Sequence, residues 1–393
     1  MTNTAIPVQV EASGRYGRAA RRHFLLRDGI TFLNHGSFGA TPRPVFEAQD
    51  ALRRELEAQP VRFFDRTRLQ PRLRAAVGQL AEFLHAAPDQ MAFVENATTG
   101  ANAVLRSLEL LPGDEVLVTD HGYPAVRNAA AYVCRRAGAK LVTAPLPFPL
   151  RGPADVVAAV AAALTPRTRL AVLDLITSPS AAILPIAELS ARCHGIGAAV
   201  LVDAAHAAGM IDLDLPGLGA DWVTGNAHKW LFAPKGCAFL WARDPAQPAI
   251  HPTVISHGLD QGFAAEFDWV GTRDVTAWLS IGAALDFHRA MGDKSLRRHN
   301  HELADQAAEL LASAWATEIG VARSMRGAMA IVRVPDAPDA DPAAAAALHD
   351  RLWQDHRIEV PVIPLAGRLW LRVSAQIYNA IEDYQRLAGV LRR

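Results

Sequence analysis

The chain has 393 residues, half of them hydrophobic, and its 40 Lys plus Arg balance 40 Asp plus Glu. That length exceeds one ordinary core and predicts two or three domains, while the charge balance argues against a nucleic-acid binder or a polybasic membrane protein. Cys134, Cys193 and Cys237 lack Cys-x-x-Cys spacing and read as reduced thiols of a cytoplasmic protein; no metal site is expected, and no apolar run approaches membrane-spanning length.

In chain order, residues 1–20 are expected to be loose. Arg21-Arg-His-Phe-Leu-Leu26 has the opening of a twin-arginine export signal, but Arg27-Asp-Gly-Ile-Thr31 supplies no apolar region after it. Short apolar runs predict buried strands at 90–95, 115–120, 169–176, 199–203 and 236–241. Helical patterns at roughly 98–110, 124–137, 153–164 and 186–195 separate most of them. Near-continuous apolar strands alternating with helices imply an α/β fold with a mostly parallel sheet covered on both faces. Ligands of such sheets lie at the carboxyl ends of the strands. A long helical stretch, about 275–316, leads to strands at 328–334 and 369–374 and helices at about 341–356 and 380–392. The expected division is an N-terminal arm, 1–45, a large domain, 46–275, and a small α+β domain, 276–393. The arm is expected to pack against the small domain across the mouth of the site.

Asp203 ends the apolar run Ala198-Ala-Val-Leu-Val-Asp203, and Lys229 follows 26 residues later in Thr224-Gly-Asn-Ala-His-Lys229-Trp. This pair is what a pyridoxal phosphate enzyme needs. The Lys amine forms a Schiff base with the cofactor aldehyde, and the carboxylate keeps the pyridine nitrogen protonated. Lys235, in Pro-Lys-Gly, is the competing lysine but reads as a turn residue. Thr98, Thr99 and Gly100 open a helix after a strand, where free N–H groups favour a phosphate; simple N-capping is the plainer alternative. No Gly-x-x-x-x-Gly-Lys or suitably placed Gly-x-Gly-x-x-Gly supports nucleotide binding.

Tyr123 follows a strand end and is a candidate to stack on the cofactor ring, with His121 as its rival for the same face. His206 and Thr177, with Ser178 beside it, are candidates for the cofactor's 3′-oxygen. His228 and Asn226 flank the lysine and are candidates for the phosphate. Arg372 lies in an apolar strand, where burial is costly unless it is paired. A bidentate contact with an amino-acid carboxylate would pair it, and so would an internal salt bridge.

With these residues in place, the chain resembles the class V aminotransferase-like group of fold-type I pyridoxal phosphate enzymes, within it the isopenicillin N epimerase-like branch. The stretches that carry the resemblance are Phe32-Leu-Asn-His-Gly-Ser-Phe-Gly-Ala-Thr41, Glu95-Asn-Ala-Thr-Thr-Gly-Ala-Asn102, Val202-Asp-Ala-Ala-His206, Thr224–Trp230, Trp269-Val-Gly-Thr-Arg-Asp274 and Leu371–Asn379. The resemblance implies an aspartate aminotransferase-like fold with a seven-stranded, mostly parallel sheet and a homodimer sharing its active sites. It implies that Thr272 reaches the neighbouring subunit's phosphate and that Asn34 and His35 lie near the substrate. Cysteine desulfurases are also similar, but they carry a nucleophilic Cys late in the chain. No cysteine follows Cys237 here, so persulfide chemistry is not expected.

All candidate reactions start from an amino acid bound as an external aldimine, with Lys229 removing the α-proton to give a quinonoid. Return of the proton from the opposite face makes an epimerase or racemase and needs a second acid, for which Tyr123 and His35 are the candidates. Loss of a β-substituent makes a carbon–sulfur lyase of the cysteine desulfhydrase kind and needs one base only. Protonation at the cofactor makes an aminotransferase. A non-enzymatic regulator or structural subunit of the same fold is a further class, against which an intact Lys229–Asp203 pair argues.

Overall fold

A computed structural model describes residues 15–244, 250–337 and 340–391. Its strands are β1 (Thr31–Phe32), β2 (Met91–Val94), β3 (Glu115–Thr119), β4 (Lys140–Ala144), β5 (Thr168–Asp174), β6 (Ala199–Asp203), β7 (Trp222–Asn226), β8 (Ala238–Ala242), β9 (Met329–Arg333), β10 (Ile358–Glu359), β11 (Val362–Leu365) and β12 (Arg368–Ser374). Among the described residues, seven of them form one sheet in the order β2-β8-β7-β6-β5-β3-β4. Only β8 runs against its neighbours; the others are parallel.

The central strands are apolar throughout because both faces are covered. Along β6, Val200 and Val202 enter one core cluster and Leu201 enters another on the opposite face. The expected strands at 115–120, 169–176 and 199–203 match β3, β5 and β6. The edge strand β4 escaped notice because Lys140-Leu-Val-Thr-Ala144 is half exposed and lacks an apolar run. Two helices, Arg43–Ala58 and Arg66–Phe83, were also not foreseen; their faces are largely polar, and only a narrow stripe such as Leu69, Leu73, Val77 and Leu80 is buried.

The expected helix at 275–316 is broken into Thr276–Leu279, Ile281–Ala290 and Asp293–Trp315. Gly292, at φ 92°, makes the second break. A three-stranded antiparallel sheet, β11-β12-β9, packs with Asp293–Trp315 and Ile381–Val390 around a separate core that includes Leu303, Leu311, Val332, Leu371 and Tyr384. Leu33 joins that core, and β1 pairs in parallel with β10, so the N-terminal segment adheres to the C-terminal elements.

The expectation that residues 1–20 are loose falls mostly outside the described residues. Where it can be compared it fails: the Tyr16 hydroxyl donates to the Met291 carbonyl at 2.8 Å, and the Gly17 N–H donates to the Ile377 carbonyl at 2.7 Å. No helix among the described residues is long and apolar enough to cross a membrane.

Leu201 is fully buried on the middle strand of the large sheet. Leu201→Ala is expected to destabilise the protein by about 2–5 kcal/mol, the range for large-to-small core changes. Urea unfolding of the two proteins measures this, and a loss below about 1 kcal/mol would contradict packing on both faces.

Candidate active site

Parallel strands end on the same edge of the sheet, and the side chains of that edge enclose a cavity of about 520 Å³. Asp203, at the end of β6, and Asp174, at the end of β5, are direct neighbours in the strand register and both line it. β7 ends at Asn226, and the turn before β8 carries His228 and Lys229 into the same space. Thr98, Tyr123, Ser178 and His206 complete the parts that matter chemically.

Lys229 is almost wholly buried, and its pKa falls from 10.5 to about 8. Loss of hydration is the main cause and the Arg372 charge the next, with Asp203 opposing both. The Lys229 Nζ stands 3.3 Å from His206 Nε2. The Trp230 indole, which can only donate, faces His206 Nδ1 at 3.4 Å. Nδ1 therefore accepts, which puts the proton of the neutral ring on Nε2, where it can donate to the lysine amine once that amine is neutral, above about pH 8. Burial, and then the Lys229 charge, hold His206 well below its usual pKa.

Asp203 accepts from the Ala205 N–H at 2.9 Å. Burial raises its pKa, against the opposing pull of that bond and of Lys229. Asp174 is raised well above the carboxylate range, first by burial and then by the charge of Asp203. Asp174 was not singled out from the sequence, although Leu170-Ala-Val-Leu-Asp174 repeats the pattern of an acid closing an apolar strand.

Other candidates are placed differently from expectation. At the phosphate end only Thr98 of the three faces the cavity. The Thr99 N–H is taken by the side chain of Asn96, the cap of the helix Ala97–Ser107. Gly100 lies under Thr224, whose side chain leaves no room for a Cβ there. Asn226 faces the cavity while its Oδ1 accepts from the Ala97 N–H at 2.9 Å, so it holds the helix start in place.

The His228 Nδ1–H donates to the Cys237 carbonyl at 3.2 Å, and burial pushes this ring down to about 4. Its Nε2 therefore bears no proton, and donation to a phosphate requires the dianion to restore one. Thr177 does not line the cavity: its hydroxyl pairs with the Ser180 hydroxyl at 2.7 Å and accepts from the Ala182 N–H, which braces the loop that presents Ser178. Of the two aromatic rivals, Tyr123 borders the cavity, while His121 is buried beside Phe148 and bonded to Ser180.

Arg372, on β12, is buried without an acidic partner within ion-pair distance among the described residues. Its Nη1 donates to the Ser178 carbonyl at 2.5 Å and its Nη2 to the Ser37 hydroxyl at 3.2 Å; both serines line the cavity. Arg372 itself does not line the cavity, and its buried Nε has no partner. The internal salt bridge considered from the sequence is not formed. Asn34 lies outside the cavity, accepting from the Ser37 hydroxyl and donating to Glu359 at 2.8 Å. His35 is buried behind Lys229, against its carbonyl. Thr272 is exposed and does not enter the cavity of its own chain.

The residues fit pyridoxal phosphate. A dehydrated amine, a strand-end carboxylate, a helix start and an aromatic rim converge on one cavity of suitable size.

Comparison with known proteins agrees. The chain is 34% identical to isopenicillin N epimerase of Amycolatopsis lactamdurans over 95% of its own length and 97% of the relative's. It is 30% identical to L-cysteine desulfhydrase of Arabidopsis thaliana, over 92% and 87%. Among solved structures, the cystine C–S lyase C-DES superposes with a TM-score of 0.79 over 93% of this chain and 97% of that one, at 24% identity, which establishes likeness of fold. A cysteine desulfurase from Thermococcus onnurineus superposes at 0.77, with 19% identity over 97% and 98%. Residues 39–345 match the family Aminotransferase class-V, and with such relatives spanning nearly its whole length the chain belongs to that family.

Proposed function

We propose that the protein is a pyridoxal phosphate-dependent enzyme acting at the α-carbon of an amino acid, and that its reaction is β-elimination from cysteine or a cysteine derivative. Bound at this site, the cofactor supplies an aldehyde for an amine and a ring that takes up the electrons left on the α-carbon. Lys229 provides the amine, and its Nζ takes the α-proton. Asp203 holds a proton at the ring nitrogen. Thr98 and the start of the helix Ala97–Ser107 would hold the phosphate, with His228 and Asn226 beside them. Tyr123, at the cavity rim, would cover the ring. Arg372, held behind Ser37 and Ser178 in the cavity wall, is the candidate to receive the substrate carboxylate.

The observation that carries the choice of reaction is the position of His35. Of the two residues considered from the sequence as a second acid, it takes His35 out of the cavity and leaves Tyr123. Elimination needs one base and a leaving group: cysteine plus water yields sulfide, pyruvate and ammonia. The L-cysteine desulfhydrase relative supports this reading. Epimerisation is the second reading, supported by the isopenicillin N epimerase relative and by Tyr123.

Persulfide-forming desulfurase chemistry is not proposed. Cys134, Cys193 and Cys237 are buried, and burial raises all three thiols, Cys193 to about 11. We further propose a cytoplasmic homodimer in which Thr272 reaches the partner's phosphate. Its exposure supports this.

Purified protein mixed with pyridoxal phosphate is expected to turn yellow, and Lys229→Ala is expected to abolish both that absorbance and at least about 10³-fold of the activity. A colourless wild type would end this reading. Incubation with L-cysteine, an S-conjugate and single enantiomers, assayed for pyruvate, sulfide and inversion, is expected to give pyruvate and sulfide. Inversion without pyruvate would transfer the assignment to epimerisation.

The lowered Lys229 pKa also sets a pH test on cofactor-free protein. Between about 8 and 10.5 the unfolded chain binds more protons at this residue than the folded one, so stability rises with pH across that window. Lys229→Met, which lacks the group, is expected to be more stable than wild type at pH 7, with the difference shrinking towards pH 10.5. Thermal unfolding at the two pH values measures it; a difference that does not change with pH would refute a dehydrated Lys229.

A further inference from the structure

We propose that His35 is a positioning residue: it clamps the main chain at Lys229 to the segment that carries Arg372, and so sets where the amine stands relative to the substrate carboxylate. This rests on the roles given above to Lys229 and Arg372.

His35 opens the short helix His35–Phe38 and is fully buried. One ring nitrogen, Nε2, lies 2.9 Å from the Lys229 carbonyl, and Nδ1 lies 2.8 Å from the Tyr378 hydroxyl. A carbonyl can only accept, so we assign the ring proton to Nε2, which leaves Nδ1 to accept from Tyr378. The Gln376 amide nitrogen abuts Nε2 at 3.1 Å. Gln376 and Tyr378 lie just beyond β12, the strand of Arg372. The imidazole is wedged between Trp230 and Phe232, at 4.9 and 6.0 Å between ring centres.

The residues after His35 repeat the same two attachments. The Gly36 N–H donates to the Ser374 hydroxyl at 3.1 Å, and a Cβ there would lie 2.5 Å from Met329 Sδ. Ser37 accepts from Arg372. Gly39, at φ 72°, approaches the lysine backbone so closely that a Cβ would lie 2.9 Å from Lys229 Cα and overlap the His228 carbonyl. The stretch His35–Gly39 thus touches the lysine turn at two points, β12 at Arg372 and Ser374, and the segment just after β12 at Gln376 and Tyr378. Both ring nitrogens are committed to it, which leaves His35 no atom for a substrate. Burial pushes its pKa down to about 3, with the Lys229 and Lys235 charges acting in the same direction, so the clamp stays neutral at working pH.

The test compares His35→Ala, His35→Gln and Tyr378→Phe with wild type. In cofactor-free protein, amide hydrogen exchange over residues 227–233 is expected to quicken roughly tenfold in His35→Ala, with β3 unchanged. In loaded protein the yellow band is expected to titrate at a shifted pH, and kcat to fall about 10–100-fold at unchanged cofactor content. His35→Gln, whose amide can reach the same carbonyl, is expected to recover most of both. Tyr378→Phe keeps the ring and the fold and is expected to shift exchange and titration in the same direction by a smaller step. It decides the matter if His35→Ala does not fold. Unchanged exchange over 227–233 together with an unchanged titration would overturn the proposal. A wild type that never turns yellow refutes the cofactor reading instead, and the exchange comparison still judges the clamp.

Discussion

Everything at the site depends on keeping one lysine amine dry. A buried ammonium is expensive, and Lys229 shares its surroundings with Arg372, a second cation without an acidic partner among the described residues. The Asp203 carboxylate offsets part of that cost, and the fall of the Lys229 pKa to about 8 expresses the rest. This electrostatic tension is useful. It lowers the cost of the neutral amine, the form that attacks a carbonyl. The imidazoles of His35, His206 and His228 are all pushed down by burial, so none of them adds positive charge near neutrality.

The parallel sheet is what makes this arrangement possible. β5, β6 and β7 deliver Asp174, Asp203 and the lysine turn to one edge, and the helix after β2 points its start at the same place. The N-terminal segment then crosses from the C-terminal elements, where β1 is paired, to the lysine turn. The strand that carries Arg372 and the turn that carries Lys229 thus pack largely into different cores, joined through a few residues near residue 35.

The candidates legible in the sequence are those that stand out within their own element. Asp203 closes a buried strand, Lys229 sits in a turn after a second one, and Arg372 is a charge inside an apolar run; each is unusual in its local setting. The misjudged residues are those whose role depends on which way a loop folds back. Thr99 and Gly100 looked like phosphate donors, but Asn96 consumes one N–H and Thr224 crowds the other position. Thr177 and Ser178 are adjacent, and nothing local says that only the second faces the cavity. Asn34 and His35 were placed near the substrate by resemblance; their partners, Glu359 and Tyr378, are more than 300 residues away, and such pairings leave no periodic trace. Asp174 was overlooked although its signal matches that of Asp203, because attention went to the acid with a lysine after it.

The strand order carries one last consequence. β8 runs antiparallel between β7 and β2, and its pairing with residues 91–94 closes a loop of well over a hundred residues. Until that closure, the helix at 97–107 has no fixed position relative to the lysine turn. Distant pairings of this kind carry a closure entropy that local ones do not. A partially folded chain that lacks this one strand pairing, however much of the remaining sheet it has built, is expected to be blind to the vitamin.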